Sequence, residues 1–146
     1  MKKYKEKRKI VAVSGGFDPV HVGHVRMIAE AARLGDVVII ANSDEWLMRK
    51  KGYVFMTWEE RQEILYNFKG VVDVYEALDA DDSVCKTLEK LNPDIFANGG
   101  DRKNDNVPEV ALCNKLGIEL RWNIGGDKIQ SSSELVAKAN DSKEKI

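Results

Sequence analysis

Two histidines, His21 and His24, are the only imidazoles in the 146-residue chain, and both fall in one glycine-rich stretch, Ser14-Gly15-Gly16-Phe17-Asp18-Pro19-Val20-His21-Val22-Gly23-His24. Residues three apart at a helix start project from one face. Gly23 between them leaves backbone bare for a ligand's approach, and a helix N-terminus adds partial positive charge, so the stretch suits an oligophosphate. A metal pair and two surface histidines are the other readings. Structural zinc would need further Cys or His ligands, and neither a third histidine nor a C-x-x-C pair exists.

The elements that must position this stretch follow from periodicity. Residues 9–14 (KIVAVS) form a short apolar run before the glycines, as a buried parallel strand does. Val22, Val25, Ile28, Ala29 and Ala32 then recur at helical spacing, and Gly35 is expected to end that helix as a C-terminal glycine. Val37 to Ala41 is a second β-branched run, followed by the turn-prone Asn42-Ser43-Asp44 and a linking stretch with Arg49, Lys50 and Lys51. Thr57 and Glu60 make a capping box for a helix over residues 58–68.

Val71 to Tyr75 reads as a third strand, residues 83–91 as a helix stopped near Asn92-Pro93, and Asp94 to Ala97 as a fourth strand broken by Asn98-Gly99-Gly100-Asp101. Pro108 opens a helix that Gly117 closes, Ile118 to Trp122 is the fifth strand, and Ser131 with Glu134 caps a last helix that fades into a tail from Asn140. Alternation of this kind implies right-handed βαβ units and an α/β parallel sheet covered on both faces, with ligands at the carboxyl ends of the strands.

Length and a 43% hydrophobic content fit one domain over residues 1–146, with a basic arm (1–8) and a polar tail (140–146) expected to be flexible. A net charge of −1 gives no pull toward nucleic acid or anionic membrane. Cys85 and Cys113 are spaced as ordinary interior thiols, and no run reaches the length of a membrane span, so a cytoplasmic, reducing compartment is the expectation.

Gly16-Phe17-Asp18-Pro19-Val20-His21-Val22-Gly23-His24 resembles the G-x-F-D-x-x-H-x-G-H signature of the cytidylyltransferase-like nucleotidyltransferases. The likeness continues through Ala41-Asn42-Ser43-Asp44, Lys50, Glu60-Arg61, Pro93-Asp94-Ile95, Gly99-Gly100-Asp101 and Ser131-Ser132-Ser133. The subset most resembled contains the glycerol-3-phosphate cytidylyltransferases and the adenylyltransferase domain that activates heptose 1-phosphate, and Gly99-Gly100-Asp101 leans toward the second. This resemblance implies a Rossmann-like three-layer sandwich on a five-stranded parallel sheet, and a homodimer. It also implies transfer of a nucleoside monophosphate from CTP or ATP to a sugar phosphate or alcohol phosphate with release of pyrophosphate.

By the same resemblance, His21, His24 and Lys50 are the catalytic residues. Gly15, Gly16, Phe17, Asp18, Gly23, Asn98, Gly99, Gly100, Asp101, Ser131, Ser132 and Ser133 line the nucleotide, and Lys51, Trp46 and Arg61 face the acceptor. Asp18 reads as a loop-orienting residue rather than a general base, and Arg61 as a structural partner of its neighbours as readily as a substrate contact. Magnesium is expected, held mainly by the triphosphate. Two positions depart from the glycerol-3-phosphate group. Gly52 stands where that group has a second lysine, and the stretch Gly125-Gly126-Asp127-Lys128-Ile129-Gln130 just before Ser131 holds no arginine, Lys128 being its nearest cation. They leave open a second reading, a non-catalytic nucleotide sensor of the same fold. An aminoacylation fragment is set aside because the chain lacks a Lys-Met-Ser-Lys-Ser run.

Overall fold

The computed structural model describes residues 8–99, 107–126 and 131–144. Five strands, β1 (Ile10–Gly15), β2 (Asp36–Ala41), β3 (Val71–Glu76), β4 (Ile95–Ala97) and β5 (Glu119–Arg121), form one sheet in the order β3-β2-β1-β4-β5. Every pairing is parallel. The helices are α1 (Val22–Leu34), α2 (Asp44–Lys51), α3 (Trp58–Tyr66), α4 (Cys85–Leu91), α5 (Val107–Leu116) and α6 (Ser132–Glu144).

The two-residue period of the strands divides the core into two layers. Val11, Val13, Val37, Ile39, Val74, Ile95 and Ala97 meet Ile28 and Ala31 of α1 and Leu65 of α3 on one face. Ala12, Val38, Ile40 and Phe96 meet Leu88 of α4 and Cys113 of α5 on the other. Helix, sheet and helix therefore make the three-layer α/β sandwich. Burial on both faces accounts for the unbroken apolar runs of β1 and β2. The chain steps outward from β1 through β2 to β3 on one side, then returns to place β4 and β5 on the other side of β1, so the switch point of the topology lies between β1 and β4.

Three local expectations change. The linking stretch after β2 is helix α2. Ser43 Oγ caps it by accepting from Trp46 N (3.1 Å), Asp44 and Glu45 occupy its first turn, and Arg49, Lys50 and Lys51 its last. Left-handed Gly52 (φ +81°) closes it by donating to Met48 O at 2.9 Å. Leu47 is its buried residue, so no apolar period announced it.

Gly35 does end α1 as its C-cap, but in an extended rather than left-handed conformation, and its need is space: a Cβ there would lie 2.2 Å from Lys9 O. Finally, α6 continues to Glu144 instead of fading at Asn140. Gly117 does close α5 in the left-handed region (φ +74°). Cys85 and Cys113 are unbridged. Among the described residues no helix is long and apolar enough to cross a membrane.

Candidate active site

The carboxyl end of β1 runs into the loop Gly16–Val20, whose conformation is held from beneath. Phe17 is 2% exposed and left-handed (φ +53°), an uncommon conformation for a side-chain-bearing residue. Its ring lies against Gly15, where a Cβ would meet Phe17 Cε2 at 3.3 Å. Asp18 is fully buried and accepts from the amides of Phe55 (2.7 Å) and Met56, which anchors the segment between α2 and α3. Asp18 thus ties two loops together, with both carboxylate oxygens engaged by backbone amides.

His21 is the N-cap of α1 and His24 its third residue, and the two side chains cap reciprocally. Nδ1 of His21 accepts from Gly23 N at 3.0 Å, and Nδ1 of His24 accepts from His21 N at 3.1 Å. An Nδ1 that accepts carries no proton, so a neutral imidazole in either position holds its hydrogen on Nε2. The rings stack with centroids 3.8 Å apart, and Phe17 packs on His24 at 4.7 Å.

Burial, then the neighbouring His21 and Lys51, lower the His24 pKa from 6.5 to about 3, so this donor is neutral at physiological pH. Gly23 also meets a steric demand within the protein. A Cβ there would lie 2.8 Å from His21 Cε1, so its bareness makes room for the His21 ring.

Adjacent lysines of α2 diverge. Lys51 Nζ is 4.0 Å from where a Cβ on Gly16 would sit, and its charge is felt by His24. Lys50 Nζ instead pairs with Asp82 at 3.1 Å, alongside Arg49 at 3.8 Å. The lysine that meets the glycine loop is therefore Lys51, where the family likeness had singled out Lys50. Trp46 is half-buried, and no described residue accepts from its buried Nε1.

Arg61, read as either an acceptor contact or a structural partner of its neighbours, has a fully buried side chain engaged by protein. Nε donates to Met56 O (3.1 Å), Nη1 to Gly16 O (2.8 Å) and Asn42 O (2.7 Å), and Nη2 to Asp44 Oδ1 (2.7 Å). Its sequence signal, Glu60-Arg61 inside an amphipathic helix, could not separate an inward from an outward side chain.

The other wall comes from the far side of the switch point. Asn98, 8% exposed at the end of β4, donates its amide to Arg121 O and accepts from Ile124 N at 3.0 Å. A Cβ on Gly99 would touch Met27 Sδ at 3.4 Å. Left-handed Gly125 sits so close on α1 that a Cβ would be 2.8 Å from Met27 Cα, and its amide donates to Glu30. Sequence reading missed the contacts of Met27 and Glu30 with this loop, because a close approach of two backbones leaves no periodic mark.

Ser131 Oγ accepts from Glu134 N at 3.4 Å, the expected cap, while Ser132 Oγ donates to Pro19 O at 2.6 Å. That bond brings the start of α6, with exposed Ser133, to the loop that carries His21. Gly100 and Asp101 lie outside the described residues. Among those described, no three His, Cys, Asp or Glu side chains converge as a metal cage.

The start of α1 with its two imidazoles, Lys51 and the start of α6 are thus gathered around the loop that follows β1. Helix N-termini, neutral imidazoles and a lysine in such an arrangement have the chemistry to receive an anion.

A cytidylyltransferase-like family model matches residues 12–139. The chain is 35% identical over 120 residues to a FAD synthase of Thermococcus onnurineus (strain NA1), covering 80% of this chain and 75% of that protein. It is 36% identical over 118 residues to the bifunctional protein HldE of Hahella chejuensis (strain KCTC 2396), covering 77% of this chain but only 24% of that longer one. Among solved structures, a lipopolysaccharide core biosynthesis protein from Thermoplasma volcanium GSS1 superposes with a TM-score of 0.64 at 28% identity, over 79% of this chain and 93% of the other. The chain belongs to the cytidylyltransferase-like family and is a nucleotidyltransferase of the cytidylyl- or adenylyltransferase type.

Proposed function

We propose that the chain transfers AMP from ATP to a small phosphate monoester and releases pyrophosphate. The observation that carries this reading is the reciprocal cap of His21 and His24 at the start of α1, which fixes both imidazoles on the loop that Lys51 and the start of α6 also reach. An oxygen of the acceptor phosphate attacks the α-phosphorus in line. The new P–O bond forms as the bond to the β-phosphate breaks, and the electron pair leaves with pyrophosphate. No enzyme nucleophile is required, so rate comes from alignment and from donors facing the charge that builds on the phosphoryl oxygens.

His24 stays a neutral donor through this step, since its proton is on Nε2 and its pKa is about 3. Lys51 supplies the fixed positive charge. Magnesium bound with the triphosphate would add charge neutralisation, held mainly by phosphate oxygens because Mg²⁺ keeps its waters and takes few protein ligands. Both the FAD synthase and HldE relatives favour ATP over CTP on this reading. They also frame the acceptors: a flavin mononucleotide, or a sugar phosphate of the heptose 1-phosphate kind, with alcohol phosphates such as glycerol 3-phosphate as a third class. Its partners are then small molecules rather than nucleic acid, in a homodimer as the family likeness implies.

The test is pyrophosphate release from ATP or CTP with magnesium, in the presence of each of the three acceptors in turn. The proposal expects one ATP–acceptor pair to turn over and His24→Ala to abolish it. Tight ATP binding with no pyrophosphate from any acceptor would replace it with the sensor reading.

A further inference from the structure

We propose that Arg61 is a positioning residue that aims the backbone amides of Gly16 and Phe17 at the phosphates; this rests on the nucleotidyl-transfer reading above. The argument starts from peptide geometry. In a trans peptide the C=O of one residue and the N–H of the next point in opposite directions. Gly15 O accepts from Asn42 N at 3.0 Å, just past the end of β2. Gly16 O accepts from Arg61 Nη1 at 2.8 Å, and the same nitrogen donates to Asn42 O at 2.7 Å.

Two successive carbonyls are therefore drawn toward the β2 side of β1. The amides in those peptide units, Gly16 N–H and Phe17 N–H, face the other way, toward β4 and the switch point. Successive amides turned to one side make an anion-binding concavity.

Holding this arrangement takes force, because Phe17 sits at φ +53° where an L-residue is disfavoured. Arg61 can supply it. Its side chain is fully buried, and its other donors go to Met56 O (3.1 Å) and Asp44 Oδ1 (2.7 Å). Asp44 in turn accepts from Trp58 N at 3.3 Å, at the start of the helix that carries Arg61. The guanidinium is thus fixed by α2, α3 and the 52–57 segment, and its fork leaves one nitrogen for Gly16 and Asn42. Lysine has the charge without the fork and cannot span these four acceptors.

The experiment follows inorganic pyrophosphate, by calorimetry and by the Gly16 and Phe17 amide resonances of the ¹⁵N-labelled full chain. In the wild type both resonances shift on binding. In Arg61→Lys the proposal expects those two shifts to be lost, with the rest of the spectrum native, and the Kd to weaken about tenfold or more. Turnover should fall about 100-fold, while KM for the acceptor stays put.

Should Arg61→Lys not fold, Asp44→Asn replaces it; it keeps the guanidinium but frees one of its ties, and the same two shifts should shrink. A folded variant of either kind that binds pyrophosphate with the wild-type Kd and wild-type Phe17 shift overturns the proposal alone. A wild-type chain that does not bind pyrophosphate, or that binds it equally as His24→Ala, overturns the nucleotidyl-transfer reading and the proposal with it.

Discussion

Lys51 and Asp82 divide the end of α2 between them: Lys51 Nζ reaches within 4.0 Å of the Cβ position of Gly16, while Asp82 holds its neighbour Lys50 at 3.1 Å. Consecutive helical residues are about 100° apart around the axis, so the two lysines cannot serve one site equally. Lys51→Ala is expected to lower kcat by about 100-fold or more, as loss of a single donor to developing charge does. Lys50→Ala should cost less than about tenfold, because it removes an exposed ion pair. Steady-state kinetics on the two variants decides, and the reverse order would return the role to Lys50.

Gly23→Ala separates helix propensity from function. Alanine is the better helix former by about 1 kcal/mol, so stability should hold or rise. Its Cβ, however, would lie 2.8 Å from His21 Cε1 and displace the ring from its cap. Turnover should drop about 100-fold with an unchanged or higher Tm. Wild-type turnover in a folded Gly23→Ala protein would mean that the capped position of His21 is immaterial.

His24 makes stability depend on pH in a stated direction. Its folded pKa, about 3, lies below the 6.5 of the unfolded chain, so between these values the unfolded state binds more protons. The contribution is complete above pH 6.5 and is lost as pH falls toward 3. His24→Asn should flatten the decline of Tm between pH 7 and about pH 4. An unchanged slope would place the acid sensitivity elsewhere.

Glu109 carries the opposite sign. It is 5% exposed, Oε1 accepts from Val84 N at 3.3 Å, and Oε2 is buried with no partner among the described residues. Burial chiefly raises its pKa, so the folded state binds the proton more tightly, and stability falls as pH rises from the unfolded value through the folded one. Glu109→Gln should raise Tm at pH 8 by about 3–5 °C and do little at pH 4. A lower Tm at pH 8 would show that the carboxylate is needed.

Much of this was legible because the sequence pattern and the tertiary structure agree. The runs of β1 and β2 are apolar on both faces because helices cover both, and Gly117, Thr57 and Ser131 mark helix ends by chemistry that needs no tertiary partner. The paired histidines were visible as a phosphate motif, but their mutual capping was not, since it turns on which ring nitrogen faces inward. Helix α2 escaped because it buries little, although Ser43, its charged ends and Gly52 spell its boundaries. Arg61 and Gly35 show what spacing cannot carry. One is an inward-turned charge whose acceptors lie up to 45 residues away, and the other is a glycine required by the Lys9 carbonyl.

The most direct measurement is the rate of pyrophosphate release in magnesium-containing buffer with ATP and the acceptor that turns over best, comparing wild type with His24→Ala at matched folding by circular dichroism. The account predicts acceptor-dependent pyrophosphate from the wild type and a loss of about 100-fold or more in the variant. Equal rates in the two proteins would contradict it.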